Sequence, residues 1–270
     1  MLAEAYPKTA LVFTTACDQM RRTADTVACN AGSRIFLFNL PATWQSAAAR
    51  RLYHAELARL GKHLEVLGGH APTAEELATV IHDQEGRRAE LRSLVQQSPA
   101  RQGAEALANW FYGDSSLVAP ADATTQGVRL ALLGGPLLPS HWPLFDAIAA
   151  AGGCVVVNAT EPGERCLLPP LPTPTTGREP LIALADHYFD HAVDVFHRPN
   201  SRLYDWLRPR LAEQQARGIV LWHYVGCDLW RAEAQPLREA FGLPVLLLEA
   251  DGAALPRNTG RLEAFLESLR

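Results

Sequence analysis

The chain has 270 residues, 48% of them hydrophobic and 20% charged, with a formal charge of −4. That is globular material, long enough for two compact domains, with no broad basic surface for nucleic acid and no apolar run of membrane-spanning length. Five cysteines, an odd number, do not form a disulfide framework, and no basic-then-apolar leader opens the chain, so a reducing cytoplasm is the expected compartment.

Residues 10–15 read as a short buried strand, followed by a polar, helix-competent segment over 18–26. Residues 34–40 form a second strand, ended by Pro41. From Trp44 to about Leu67, the residues Leu52, Leu57, Leu60, Leu64 and Leu67 recur at helical spacing, and Gly68 with Gly69 stops that helix. Thr73 and Glu76 make a capping box that opens the next helix, which runs through Leu77 and Ile81 to Val95. A third helix covers 104–111, and this helical section carries no evident chemistry.

The polar stretch 120–127 is the expected boundary between an N-terminal domain, 1–122, and a C-terminal one, 123–270. Beyond it strand and helix alternate. Strands are expected over 128–133, 154–157, 218–225 and 244–249, and helices over 142–151, 181–193, 201–216, 229–241 and 261–269. Gly134-Gly135-Pro136 reads as a turn, and 161–178, with five prolines, as an extended loop. Short, wholly apolar strands separated by helices imply a parallel sheet covered on both faces. Ligands of such sheets gather at the carboxyl ends of the strands.

Two Cys-Asp pairs stand out: Cys17-Asp18 after the first strand and Cys227-Asp228 after the strand at 218–225. A thiol at a strand end that turns at once into a helix meets unpaired N–H groups at the positive end of a helix dipole. That setting favours the thiolate, the metal-binding form, and Asp at the next position is a good N-cap. A lone cysteine at a strand end is more often a small core residue, and Cys154 is read that way. Cys29, in a small-residue loop, and Cys166, in the proline-rich loop, are weaker candidates for sulfur ligands. His223 reads as a satisfied core group. His187, His191 and His197 lack a carboxylate arrangement that would require zinc. The segment 198–202 reads as a helix start capped by Asn200 or Ser201. Gly134-Gly135-Pro136 is neither a phosphate loop nor a dinucleotide fingerprint.

Taken in order, several segments carry a resemblance: Thr15-Ala16-Cys17-Asp18 with Arg21-Arg22, the 38–41 strand end, residues 60–65 followed by Gly68-Gly69, Glu75-Glu76-Leu77 through Arg87-Arg88, residues 133–136 and 152–156, and residues 226–230 followed by 244–249. The chain resembles the iron–sulfur subunits of the 2-hydroxyacyl-CoA dehydratase and benzoyl-CoA reductase family almost end to end. The resemblance implies an α/β fold of two flavodoxin-like parallel-sheet domains with a helical section between, and a [4Fe–4S] cluster held by three cysteines. Cys17 matches the second ligand and Cys227 the third. The first lies a few dozen residues before the second, upstream of Met1. Three possibilities stay open: the protein begins further upstream, a partner chain supplies the sulfur, or the cluster has been lost. The first domain is accordingly expected to be short of strands.

The implied activity is that of a lyase of anaerobic metabolism. An ATP-hydrolysing iron–sulfur activator protein injects a low-potential electron, an acyl-CoA thioester becomes a ketyl radical anion, and hydroxide leaves. A homologous second subunit completes the enzyme as a hetero- or homodimer. The alternatives are a benzoyl-CoA-reductase-type subunit and a scaffold subunit that keeps the fold without a cluster.

Overall fold

The computed structural model describes residues 9–31, 34–113, 126–161, 163–172, 179–250 and 256–270. Among these residues it is an α/β structure with two parallel sheets, one of two strands and one of four. Most of the expected boundary stretch at 120–127 lies outside the described residues. Two compact units emerge from the packing, Met1–Gln84 with Pro170–Asn200, and Glu85–Pro169 with Ser201–Arg270.

In the first unit β1 (Leu11–Thr14) pairs in parallel with β2 (Ile35–Phe38), Leu11 opposite Ile35 and Thr14 opposite Phe38. The connection is α1 (Asp18–Ala31), longer than the polar segment suggested. Next comes α2 (Ala47–Val66), whose N-cap Ser46 accepts from the Ala49 N–H and whose end is turned by Gly68 at a φ of +104°. The leucine stripe of this helix does not make a core: Leu52, Leu64 and Leu67 are exposed, while Ala49 and Glu56 are buried. Glu56 takes the Asn39 N–H at 2.8 Å just past β2 and pairs with Arg59 at 2.6 Å, and that arginine holds its carboxyl below the ordinary range. Helix α3 (Ala74–Gln97), which belongs to the second unit from Glu85 on, starts on the expected capping box, with Glu76 N–H donating to the Thr73 hydroxyl at 3.2 Å and Thr73 N–H to the Glu76 carboxylate at 2.8 Å. Thr73→Ala should cost about 1 kcal/mol, read as a lowered midpoint in urea unfolding at an unchanged slope.

The second unit holds α4 (Ala100–Phe111) and a sheet ordered β4-β3-β5-β6. Its strands are β3 (Val128–Pro136), β4 (Gly153–Glu161), β5 (Gly218–Tyr224) and β6 (Val245–Ala250). All pairings are parallel, Leu130 lying opposite Gly218 and Ile219 opposite Val245. Between strands run α5 (Pro143–Ala150), α6 (Pro180–His191, contributed to the first unit), α7 (Ser201–Glu213), α8 (Asp228–Ala232) and α9 (Ala234–Phe241), and α10 (Pro256–Ser268) closes the chain. Apart from Arg129 on β3 and His223 on β5, the central strands carry apolar side chains and glycine, as strands covered on both faces do. Leu130, Leu132, Leu133, Ile219, Val220 and Leu221 are fully buried, each contributing roughly 1.5–3 kcal/mol of transfer free energy.

Two expectations are corrected here. Gly134-Gly135-Pro136 is not a turn: β3 continues through it, Gly134 pairing with Trp222. The helix expected over 229–241 is two helices, α8 and α9, meeting at Glu233.

The sheet order creates a switch point. The chain leaves β3 for β4 on one side and leaves β5 for β6 on the other. Loops after β3 and β5 therefore diverge, and the crevice between them is the usual ligand position of an open parallel sheet.

Candidate functional site

Both Cys-Asp pairs stand at the carboxyl end of a parallel strand, one in each unit. In the first, Thr15 fastens the turn: its N–H donates to Phe38 O at 3.0 Å and its hydroxyl accepts from Leu40 N–H at 3.0 Å. Cys17 follows, half-buried, and its sulfur accepts the Met20 N–H at 3.4 Å. Helix α1 begins at Asp18, so the thiol, not the aspartate, takes the capping place. Asp18 instead pairs with Arg21 at 3.3 Å, and the Cys17 carbonyl accepts the Arg21 N–H.

The second unit repeats this turn. Cys227 is the N-cap of α8, Asp228 is its first residue, Arg231 pairs with Asp228 at 3.0 Å, and the Cys227 carbonyl accepts the Arg231 N–H at 3.1 Å. The shared pattern is Cys-Asp-x-x-Arg at 17–21 and 227–231, with the arginine on the same helical face as the aspartate. Sequence reasoning found the Cys-Asp pairs and named Arg21, but missed Arg231 and with it the repeat, although its spacing was readable. The helix behind each cysteine differs in length. Helix α1 has 14 residues, but α8 has five, and the Cys227 side chain makes no capping bond to it.

The other cysteines differ. Cys166 sits in a 3₁₀ turn, its thiol donating to Gly163 O at 2.8 Å, and burial pushes its pKa up to about 12. Burial also raises the Cys154 thiol, which is half-buried at the start of β4 rather than enclosed in the core. Cys29 lies exposed on α1, not in a loop. It is twelve residues along the helix from Cys17, about 18 Å of rise, too far to share a cluster with it. None of the five joins a disulfide. Among the described residues no three His, Cys, Asp or Glu side chains converge on a common metal position.

Around Cys227 the β5 residues take separate tasks. His223 is 1% exposed. Its Nδ1–H donates to the Tyr224 carbonyl at 3.0 Å, the same oxygen that accepts the Cys227 N–H at 2.9 Å, and its Nε2 lies 4.0 Å from Glu249 on β6. This is the satisfied core histidine expected. Trp222 is buried, its indole N–H donating to Pro136 O at 3.1 Å. Tyr224 is half-buried and faces His141, in the 3₁₀ turn 139–141 beyond β3, with the hydroxyl 3.4 Å from His141 Nδ1.

That nitrogen also accepts the Leu138 N–H at 3.2 Å. An imidazole nitrogen that accepts carries no proton, so the neutral ring must carry its hydrogen on Nε2. Burial lowers the His141 pKa and raises that of Tyr224, keeping both groups neutral near pH 7. Next to them Gly135 leaves a bare backbone, where a Cβ would lie 3.8 Å from Trp230 Nε1 and 4.0 Å from Tyr224 Cδ2. Trp230 is 1% exposed and its Nε1–H has no hydrogen-bond partner. A buried orphan donor costs about 1–3 kcal/mol. Arg165, buried, lies over the Trp230 ring at 4.9 Å and donates to the Ala159 and Gly134 carbonyls at 2.6 and 2.8 Å.

A family model for 2-hydroxyglutaryl-CoA dehydratase, D-component, matches residues 2–269, nearly the whole chain. The chain belongs to that family. No curated protein matches it in direct comparison. Both Cys-Asp-x-x-Arg turns fall within the D-component match. No helix among the described residues is long and apolar enough to cross a membrane.

A second polar group lies in the first unit of this D-component chain. Arg50 on α2 bridges Asp186 (2.7 Å) and Asp190 (2.5 Å) on α6, and His54 reaches Asp186 at 2.9 Å. Burial alone would raise the Asp186 carboxyl, yet the bonds from Arg50 and His54 hold it below the usual range. On the same helix His187 and His191 meet with ring centroids 4.5 Å apart and planes tilted by 38°, His191 Nδ1 on the His187 carbonyl at 2.9 Å. The Arg50 and His54 contacts fasten α6 to α2.

Proposed function

We propose that this chain is the iron–sulfur subunit of a 2-hydroxyacyl-CoA dehydratase, working with a homologous second subunit and an ATP-dependent iron–sulfur activator. The observation that carries the reading is the repeated Cys-Asp-x-x-Arg turn, one at a strand end of each parallel sheet, in a chain matched over 2–269 by the D-component family. The strand order of the second unit also agrees with a flavodoxin-like domain.

The donor chemistry fits a [4Fe–4S] cluster in part. Cys17 and Cys227 are thiols outside the deep core and not in disulfides, and thiolates are what iron–sulfur clusters take. Cys166 is tied up as a buried thiol, and Cys29 is separated from Cys17 by the helix rise. On this reading Cys17 and Cys227 are two of the cluster's ligands, and neither Cys29 nor Cys166 is the third. Bound there, the cluster would supply a single low-potential electron for removal of the substrate's 2-hydroxyl group. The chain's own part is to present the two sulfurs, to set their surroundings through Thr15, Met20 N–H and the Asp–Arg pairs, and to receive the acyl-CoA.

Anaerobic purification followed by iron and sulfide analysis tests this. About four irons per chain or per subunit pair, together with water elimination from a 2-hydroxyacyl-CoA once partner and activator are added, is the expected result. Normal folding with no iron would leave a scaffold subunit without a cluster.

A further inference from the structure

The crevice at the switch point of the second unit is lined by an unusual set of groups. Three neutral hydrogen-bond donors gather there: the Nε2–H of His141, the hydroxyl of Tyr224 and the orphan Nε1–H of Trp230 behind Gly135. Two large apolar side chains at the ends of β3 and β5, Leu138 and Val225, are 45% and 55% exposed. Arg165, a buried cation nearby, is engaged with main-chain carbonyls. A phosphate or carboxylate calls for a positive charge or paired N–H groups. Neutral donors beside exposed apolar surface suit an uncharged carbonyl with a hydrocarbon arm.

We propose that this mouth binds the acyl thioester of the substrate, His141 Nε2–H and the Tyr224 hydroxyl donating to its carbonyl oxygen while Leu138 and Val225 lie along its acyl chain. The inference rests on the dehydratase reading and deepens it. Donors aimed at a thioester oxygen are worth most when negative charge develops there, and a neutral histidine donates without holding a competing anion. The Tyr224–His141 bond is long at 3.4 Å, so the hydroxyl hydrogen is easily redirected to a better acceptor. Tyr224 ends β5 and Cys227 follows three residues later, which puts the thioester in the same segment as the sulfur.

The test is equilibrium binding of butyryl-CoA and of free CoA to the full chain. The wild-type chain should bind butyryl-CoA more tightly than CoA. His141→Ala and Tyr224→Phe should each weaken butyryl-CoA by about fivefold, the loss of one neutral hydrogen bond, and leave CoA unchanged. His141→Gln, which keeps an N–H near the Nε2 position, should restore most of the affinity. Gly135→Ala provides a steric arm. Its Cβ would meet only ordinary contacts, so the melting temperature should hold while butyryl-CoA binding falls about tenfold. Wild-type affinity in all these variants, or no preference for butyryl-CoA over CoA, overturns the inference. Iron and sulfide measured on the same preparations report separately on the cluster, so failure here is not failure there.

Discussion

Gly134→Ala should leave the second unit without its sheet. Gly134 sits in β3, between β4 and β5, at a φ of +139°, and an added Cβ would fall 1.8 Å from the Trp222 carbonyl oxygen, with Trp222 C and N at 2.8 and 3.0 Å. The clash is with backbone, in the middle of a parallel pair, so no side chain can swing away to relieve it. Moving β5 would disturb Val220, Leu221 and Trp222, all buried. The expected cost is more than about 4 kcal/mol, the range reserved for backbone strain and broken cores. Far-ultraviolet circular dichroism and a thermal melt are the measurements. Gly242→Ala is the control: it has a φ of +65° and open space around the new methyl group, so only the left-handed backbone penalty of about 1–2 kcal/mol applies. A melt of Gly134→Ala like that of the control would show that β3 and β5 do not approach as closely as described.

Cys17→Ser and Cys227→Ser should each abolish the brown chromophore of anaerobically purified protein while leaving the melt nearly unchanged. Neither side chain is in the deep core, so the structural cost of replacing sulfur by oxygen should stay within about 0.5 kcal/mol. A hydroxyl is a poor ligand for iron–sulfur clusters beside a thiolate, so losing either sulfur should remove the centre. Cys154→Ala should keep the colour, because burial holds that thiol protonated at the start of β4. Retained colour in both serine variants would move the cluster away from these residues.

The elements that could be read directly were those with local causes. The Thr73–Glu76 capping box, the Gly68 stop and the apolar runs of β3, β5 and β6 act through near neighbours in sequence, and all appear where expected. The errors have a common origin as well. Gly134-Gly135-Pro136 has the composition of a turn, yet β5 approaches so closely that only glycine fits within the strand. The leucines of α2 have helical spacing, but spacing does not say what covers a face, and Leu52 and Leu64 stay exposed.

The site divides in the same way. Cys17 and Cys227 were legible because a thiol before an aspartate at a strand end is a pattern within a few residues. His141, Tyr224, Gly135 and Trp230 were not, since they come from a 3₁₀ turn, two strands and a helix separated by up to 95 residues of chain, and no local signal links them. Periodicity, capping residues and the two Cys-Asp pairs depend on neighbours along the chain, so the order of elements and the thiols were determined by sequence alone. The sheet order, the switch point, the tautomer of His141 and the orphan indole N–H were decided by tertiary structure, because each depends on which backbone group is brought near from a distant segment.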